Sequence, residues 1–88
     1  MSNYTVDIRN SAKSDLKKIK QSNLKNQFLA VVSTLKENPY SKTQSFEKLV
    51  PKNEGKYSRR LNRQHRVVYT VDEENKVVEI LSAWTHYE

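Results

Sequence analysis

Four of the five arginines in the chain, Arg59, Arg60, Arg63 and Arg66, fall close together, whereas Arg9 stands apart. Guanidinium groups take phosphate oxygens in pairs, so a cluster on adjacent strands would form a phosphate cradle. The alternative is a solvated strand face opposed by acidic side chains. His86 and Tyr87 lie near the end of the sequence, before Glu88. An imidazole titrates near neutrality and donates a proton, and a phenol can stack on a base or hold a phosphate. The alternative is a frayed tail that does neither. Glu47 lies between Phe46 and Leu49, whose apolar side chains would fix its position and desolvate it; otherwise it is an ordinary exposed glutamate. His65, beside Arg66, fits a supporting role, either binding phosphate or starting a strand as a structural histidine. Cleaving RNA without a metal requires a base for the ribose 2′-OH, a cation for the phosphate and an acid for the departing 5′ oxygen. The chain holds a candidate for each.

Positioning those groups falls to a small set of elements. Tyr4 to Ile8 alternates apolar and polar residues, the pattern of a half-buried strand. Asn10 or Ser11 would cap a helix running through Lys20, with Asp15 early in it and Ala12, Leu16 and Ile19 on one face. Leu24, Phe28, Val31, Val32 and Leu35 recur at helical spacing and predict a second helix, ended by Asn38-Pro39. Tyr40 to Lys56 is irregular and polar apart from Phe46, Leu49 and Val50, and Asn53-Glu54-Gly55 holds the single glycine and marks a turn. The period then changes to two. Tyr57–Leu61, His65–Val71 and Lys76–Trp84 read as strands, joined by Asn62-Arg63-Gln64 and by the hairpin turn Asp72–Asn75. The expected order is β-α-α-β-β-β, one α+β domain over residues 1–88. Its sheet is mostly antiparallel, with a helical hairpin packed on one face. Tyr4, Phe28, Phe46, Tyr69 and Trp84 fall at core positions, leaving Tyr57 and Tyr87 for base stacking.

Composition narrows the function classes. Eighty-eight residues make one small domain and exclude a two-domain dinucleotide enzyme or a repeat array. With no cysteine there is no disulfide scaffold, thiol catalysis or Cys-ligated zinc, and two histidines make a structural metal site a poor expectation. No apolar leader or membrane-length stretch is present, so a soluble, cytoplasmic protein is expected. Sixteen Lys and Arg against ten Asp and Glu give a net charge of 16 − 10 = +6. The pI near 9.7 points to a polyanionic partner: nucleic acid, the ribosome or an acidic protein. A solvated Lys-rich surface is the plainer alternative.

The run Tyr57-Ser58-Arg59-Arg60-Leu61-Asn62-Arg63-Gln64-His65-Arg66-Val67-Val68-Tyr69 resembles the "SRRI…HRLVY" signature of the YoeB/Txe toxins. These belong to the RelE-like superfamily of bacterial type II toxin–antitoxin systems. Trp84-Thr85-His86-Tyr87 resembles that family's closing "HY", and Ser45-Phe46-Glu47-Lys48-Leu49 its "PEPL"-like segment. The resemblance spans essentially the whole chain and implies a RelE-like, microbial-RNase-like fold. It also implies a ribosome-dependent endonuclease that cuts messenger RNA in the A site of the 70S ribosome, giving a 2′,3′-cyclic phosphate and a 5′-OH with no cofactor. Carried over by motif, Glu47 would be the general base and His86 the general acid. Arg66 would stabilise the transition-state phosphate with Arg60 assisting, and Tyr87 would orient the RNA. Arg59 and His65 would contact its backbone.

Two departures stand out. Glu88 follows the tyrosine where the family pattern commonly ends, and Val50-Pro51 precedes Lys52 where the family often carries a basic residue, a place Lys48 or Lys52 would fill. The resemblance further implies a YefM/Axe-like antitoxin whose acidic C-terminal segment folds over the basic site. Operator DNA would be bound through that complex, and a homodimer of the free toxin is consistent with it. Two other classes compete: a non-catalytic inhibitor binding RNA or the ribosome with the same hairpin, and a DNA-binding module. The second is disfavoured because the arginines gather on strands and neither helix reads as a recognition helix.

Overall fold

The computed structural model describes residues 3–50 and 55–86, with the side chains of 84–86 excepted. Its elements run β1 (Thr5–Ile8), a 3-10 turn (Asn10–Ala12), α1 (Lys13–Lys20), α2 (Lys25–Glu37), β2 (Glu47–Lys48), β3 (Lys56–Arg60), β4 (His65–Asp72) and β5 (Val77–His86). The five strands form one sheet in the order β1-β5-β4-β3-β2. β1 pairs with β5 in parallel and the other pairs are antiparallel. This is the expected α+β order with one strand added. β2 has two residues, both exposed, and so carries no alternation to read; it exists because Glu47 and Lys48 pair with Ser58 and Tyr57.

Register decides which face each side chain takes. Ile8, Ile80, Tyr69 and Tyr57 lie in one cross-strand row, and Val6, Val78 and Val71 in another two residues along. Against this face pack Ile19 of α1 and Phe28, Val31 and Leu35 of α2, making a core with Ala12, Leu24, Leu61, Val67 and Ala83. Each large apolar side chain buried here contributes about 1.5–3 kcal/mol. The helices cover one face only, which leaves the other for Glu47, Ser58, Arg60 and Arg66.

The first helix starts differently from expectation. Residues Asn10–Ala12 close a 3-10 turn, with the Ala12 N–H donating to the Arg9 carbonyl, and no side chain caps α1. Asp15 instead reaches across to β5, its carboxylate accepting the Ala83 N–H at 3.2 Å. That donor is released where the β4–β5 ladder shifts register, between Arg66 and Val68 and again between Val68 and Tyr69. Such irregularities bend a strand and re-aim its neighbours. Ser22 bridges the two helices, donating to the Ile19 carbonyl at 2.8 Å and accepting the Leu24 N–H at 3.1 Å. Asn38 is extended before Pro39 and ends α2 as the sequence predicts.

At the β4–β5 turn, Glu73 ties two distant segments to its own turn. Tyr4 and Tyr40 each donate a hydroxyl to it, and the Lys76 ammonium lies 2.7 Å away. Hydrogen bonds from Lys76, then Tyr40 and Tyr4, hold its carboxyl down at about 2. Burial, then the bond to Glu73, pushes the Tyr40 phenol up.

Candidate phosphate-facing site

On the open face, β2, β3 and β4 bring a carboxylate and a guanidinium together. Arg66 Nη2 lies 3.4 Å from Glu47 Oε2. This is longer than a charge-assisted hydrogen bond, so the carboxylate is steered by the cation without being saturated by it. Arg66 makes its hydrogen bonds elsewhere: Nε donates to Ser58 Oγ at 3.0 Å and Nη2 to the Ser45 carbonyl at 2.6 Å. Its side chain is only 12% exposed, whereas that of Glu47 is 63% exposed. The pair therefore consists of a fixed cation and an accessible carboxylate. The expectation that apolar neighbours desolvate Glu47 is corrected: Phe46 stacks on Tyr57, Leu49 is buried just past the end of β2, and Glu47 faces solvent and Arg66.

The loop before β2 is held in an uncommon shape. Gln44 and Ser45 both have left-handed backbones, with φ of 55° and 54°. Each such non-glycine residue costs about 1–2 kcal/mol, so the surroundings must enforce it. The Arg60 N–H donates to the Gln44 carbonyl at 2.8 Å, and Arg66 takes the Ser45 carbonyl. On the other side Arg59 donates to the carbonyls of Pro39, Ser41 and Thr43 at 2.7–2.9 Å and to the Tyr69 hydroxyl at 3.1 Å. Its guanidinium also stacks over Phe46, 4.8 Å from the ring centre. Tyr69 completes the set, donating to the Pro39 carbonyl, and burial pushes its phenol up to about 12 despite the neighbouring Arg59.

Arg59 therefore requires a correction. It is 0% exposed and its donors are spent on the interior, so it is a structural pin and no RNA-backbone contact. The cause is strand alternation: Arg59 lies opposite Val67 on the helix-covered face, between Ser58 and Arg60 on the open one. Tyr57 is likewise not free for base stacking, since it lies between Phe46 and Tyr69 at 5.7 and 5.8 Å, with Tyr40 edge-on at 5.5 Å.

The remaining candidates sit as follows. Arg60 is exposed and directly opposite Arg66 in the ladder, and Arg63 is exposed in the β3–β4 turn. Lys48 is exposed, with its ammonium over the Tyr57 ring at 5.7 Å. His65 is half-buried and opens β4, its N–H bonded to Asn62 Oδ1 at 2.8 Å. The backbone of His86 pairs with His65, and that of Thr85 with Arg66, so position 86 lies one residue from the level of Arg66. Lys52, Tyr87 and Glu88 lie outside the described residues, as do the side chains of Trp84 and His86. Among the described residues no three His, Asp or Glu converge as a metal site. Ser58 and the Ser45 carbonyl were not legible as site groups. A serine beside two arginines carries no signal alone, and a backbone carbonyl carries none at all.

Comparison with known proteins gives the family and the fold. The family model described as YoeB-like toxin of bacterial type II toxin-antitoxin system matches residues 9–87. The YoeB dimer from Staphylococcus aureus is similar at 28% identity with a TM-score of 0.83, over 98% of this chain and 100% of that one. In the YoeB–YefM complex from the same organism the match is 30% identical with a TM-score of 0.78, over 96% and 98% of the two chains. The fold is shared with the RelE–RelB complex from Pyrococcus horikoshii OT3, at 24% identity, a TM-score of 0.74 and 96% of each chain. No curated protein is significantly similar in sequence.

Proposed function

The chain belongs to the YoeB-like toxin family of bacterial type II toxin–antitoxin systems, and on that premise we propose that it is a ribosome-dependent messenger-RNA endonuclease. The observation that carries this reading is the accessible Glu47 carboxylate 3.4 Å from a rigidly held Arg66 on the open face of the sheet. Glu47 takes the proton from a ribose 2′-OH, and the oxygen so freed attacks the adjacent phosphorus. Arg66 stabilises the charge that develops on the non-bridging oxygens, with Arg60 beside it. The bond from phosphorus to the 5′ oxygen breaks, and the His86 imidazolium gives its proton to that leaving oxygen. The products are a 2′,3′-cyclic phosphate and a 5′-OH. Tyr87 orients the RNA, and Lys48, Lys52 and His65 hold its backbone. No step calls for a metal, because the base, the cation and the acid are all side chains.

An isolated dinucleotide offers this site little area to bind, and the ribosomal A site supplies the missing orientation of the codon. The proposed partners are the 70S ribosome with its messenger RNA, in the cytoplasm, and a YefM/Axe-like antitoxin with an acidic segment complementary to the +6 chain. Operator DNA is bound through the antitoxin, and free toxin forms a homodimer, as the relative from Staphylococcus aureus is described as doing.

The test adds purified protein to a reconstituted translation reaction and maps messenger 5′ ends by primer extension. New ends are expected inside the A-site codon, only with ribosomes, and reduced about 10²–10⁴-fold by Glu47→Ala or His86→Ala. Translation arrest without new ends, unchanged in both variants, would instead identify a binding inhibitor.

A further inference from the structure

Resting on the endonuclease reading, we propose that Ser58 is a positioning residue that sets which edge of Arg66 meets the phosphate. A guanidinium has two usable forks: the side edge formed by Nε–H with one Nη2–H, and the end edge formed by Nη1 and the other Nη2–H. In this protein the side edge is taken by the chain itself. Ser58 Oγ accepts from Nε at 3.0 Å and the Ser45 carbonyl from Nη2 at 2.6 Å. Two acceptors on one edge fix the plane of the group, leaving the end edge to face the Glu47 side. Ser58 suits this task because it lies directly between Glu47 on β2 and Val68 on β4, is 0% exposed, and is small enough for the Arg66 stem to cross above it.

The arrangement also protects the base. Were the guanidinium free to turn about its Cδ–Nε bond, its side edge would meet Glu47 as a two-bond fork, the strongest pairing open to both groups. The carboxylate would then be occupied by the cation it must work beside. Instead the contact stays single and long, at 3.4 Å. The Ser58 hydroxyl thus keeps Arg66 for the phosphate and Glu47 for the 2′-OH. Arg59, the next residue along, shows the opposite outcome: its own Nε is bonded to Tyr69 Oη in the interior, beyond reach of the open face.

Hydrogen exchange of the arginine Nε–H groups, followed by nitrogen-detected NMR in wild type and Ser58→Ala, reads this directly. The chain has five such signals, and that of Arg66 is identified by its loss in Arg66→Lys. Exchange at Arg66 is expected to accelerate at least roughly tenfold in Ser58→Ala while Arg59 stays as slow as in wild type. Acceleration at both would mean that Ser58 merely supports the fold, and no change at Arg66 would mean that it does not hold the guanidinium; either overturns the proposal.

In the translation assay, Ser58→Ala should lower kcat roughly 10- to 100-fold and leave KM within about twofold. The loss should disappear in the Arg66→Lys background, because lysine has no Nε–H for Ser58 to hold. A wild-type protein that cuts no RNA overturns the endonuclease reading, whereas a wild type that cuts beside an equally active Ser58→Ala overturns only the role given to Ser58.

Discussion

Arg59 and Arg66 bear the same functional group and grip carbonyls of the same loop, from opposite sides of the sheet. Arg59 holds Pro39, Ser41 and Thr43 from within and is wholly buried. Arg66 holds Ser45 from the open face and keeps an edge toward Glu47. One guanidinium is consumed by structure and the other is held ready. The difference comes from the sheet register, which sets Arg59 opposite Val67 and Arg66 opposite Arg60. It teaches that an arginine cluster in a sequence is not one cradle. Strand alternation divides it into a scaffold and a site, and the scaffold half shapes the strained loop on which the site half rests.

The sharpest way to break the comparison is to exchange the losses. Arg59→Met should lower folding stability by about 3–5 kcal/mol in urea denaturation, since three loop carbonyls lose their donor in the interior. Arg66→Met, which removes two hydrogen bonds from a side chain 12% exposed, should cost less, about 1–2 kcal/mol of stability, yet lower messenger cleavage about 10²–10³-fold. Equal stability losses in the two variants would erase the distinction.

A smaller effect of opposite sign is expected at Ser45. Ser45→Gly relieves a φ of 54° and should raise stability by about 0.5–1 kcal/mol. If the strain serves the site, kcat should fall in the same variant, because a glycine holds the carbonyl that anchors Arg66 less firmly; unchanged kcat would make the strain incidental.

The mildest test is made far from the site, at Glu73. Its carboxyl is held at about 2, below its ordinary value of 4.5, by Lys76 and the two tyrosines. A depressed carboxylate stabilises the fold above the unfolded value and loses that contribution as pH falls. Wild-type stability should therefore decline between about pH 4.5 and 2, and Glu73→Gln should flatten that part of the profile. The Arg66 Nε–H exchange should be the same in this variant, as Glu73 belongs to the scaffold alone.

Much of the frame was legible in the residues. The 3.6-residue stripe of Leu24, Phe28, Val31 and Leu35 foretold α2, and the two-residue alternation after Gly55 foretold β3, β4 and β5. β2 was missed because two exposed residues have no period, and the α1 cap because a 3-10 turn satisfied the backbone there instead. Glu47 and Arg66 were paired through the family resemblance and the sheet sets them 3.4 Å apart, while Ser58 was quoted without a role and Arg59, expected at the RNA backbone, is buried.

By itself, then, the sequence determined the element order, the apolar faces and the charge that attracts a polyanion, because these depend on residue type and local spacing. Only the tertiary structure decided which arginine is buried in the scaffold and which lies beside Glu47 on the open face, because that depends on the parity of a strand's pairing with its neighbours. It also decided that Gln44 and Ser45 take left-handed backbones, since donors from β3 and β4, up to 21 residues away along the chain, hold their carbonyls there.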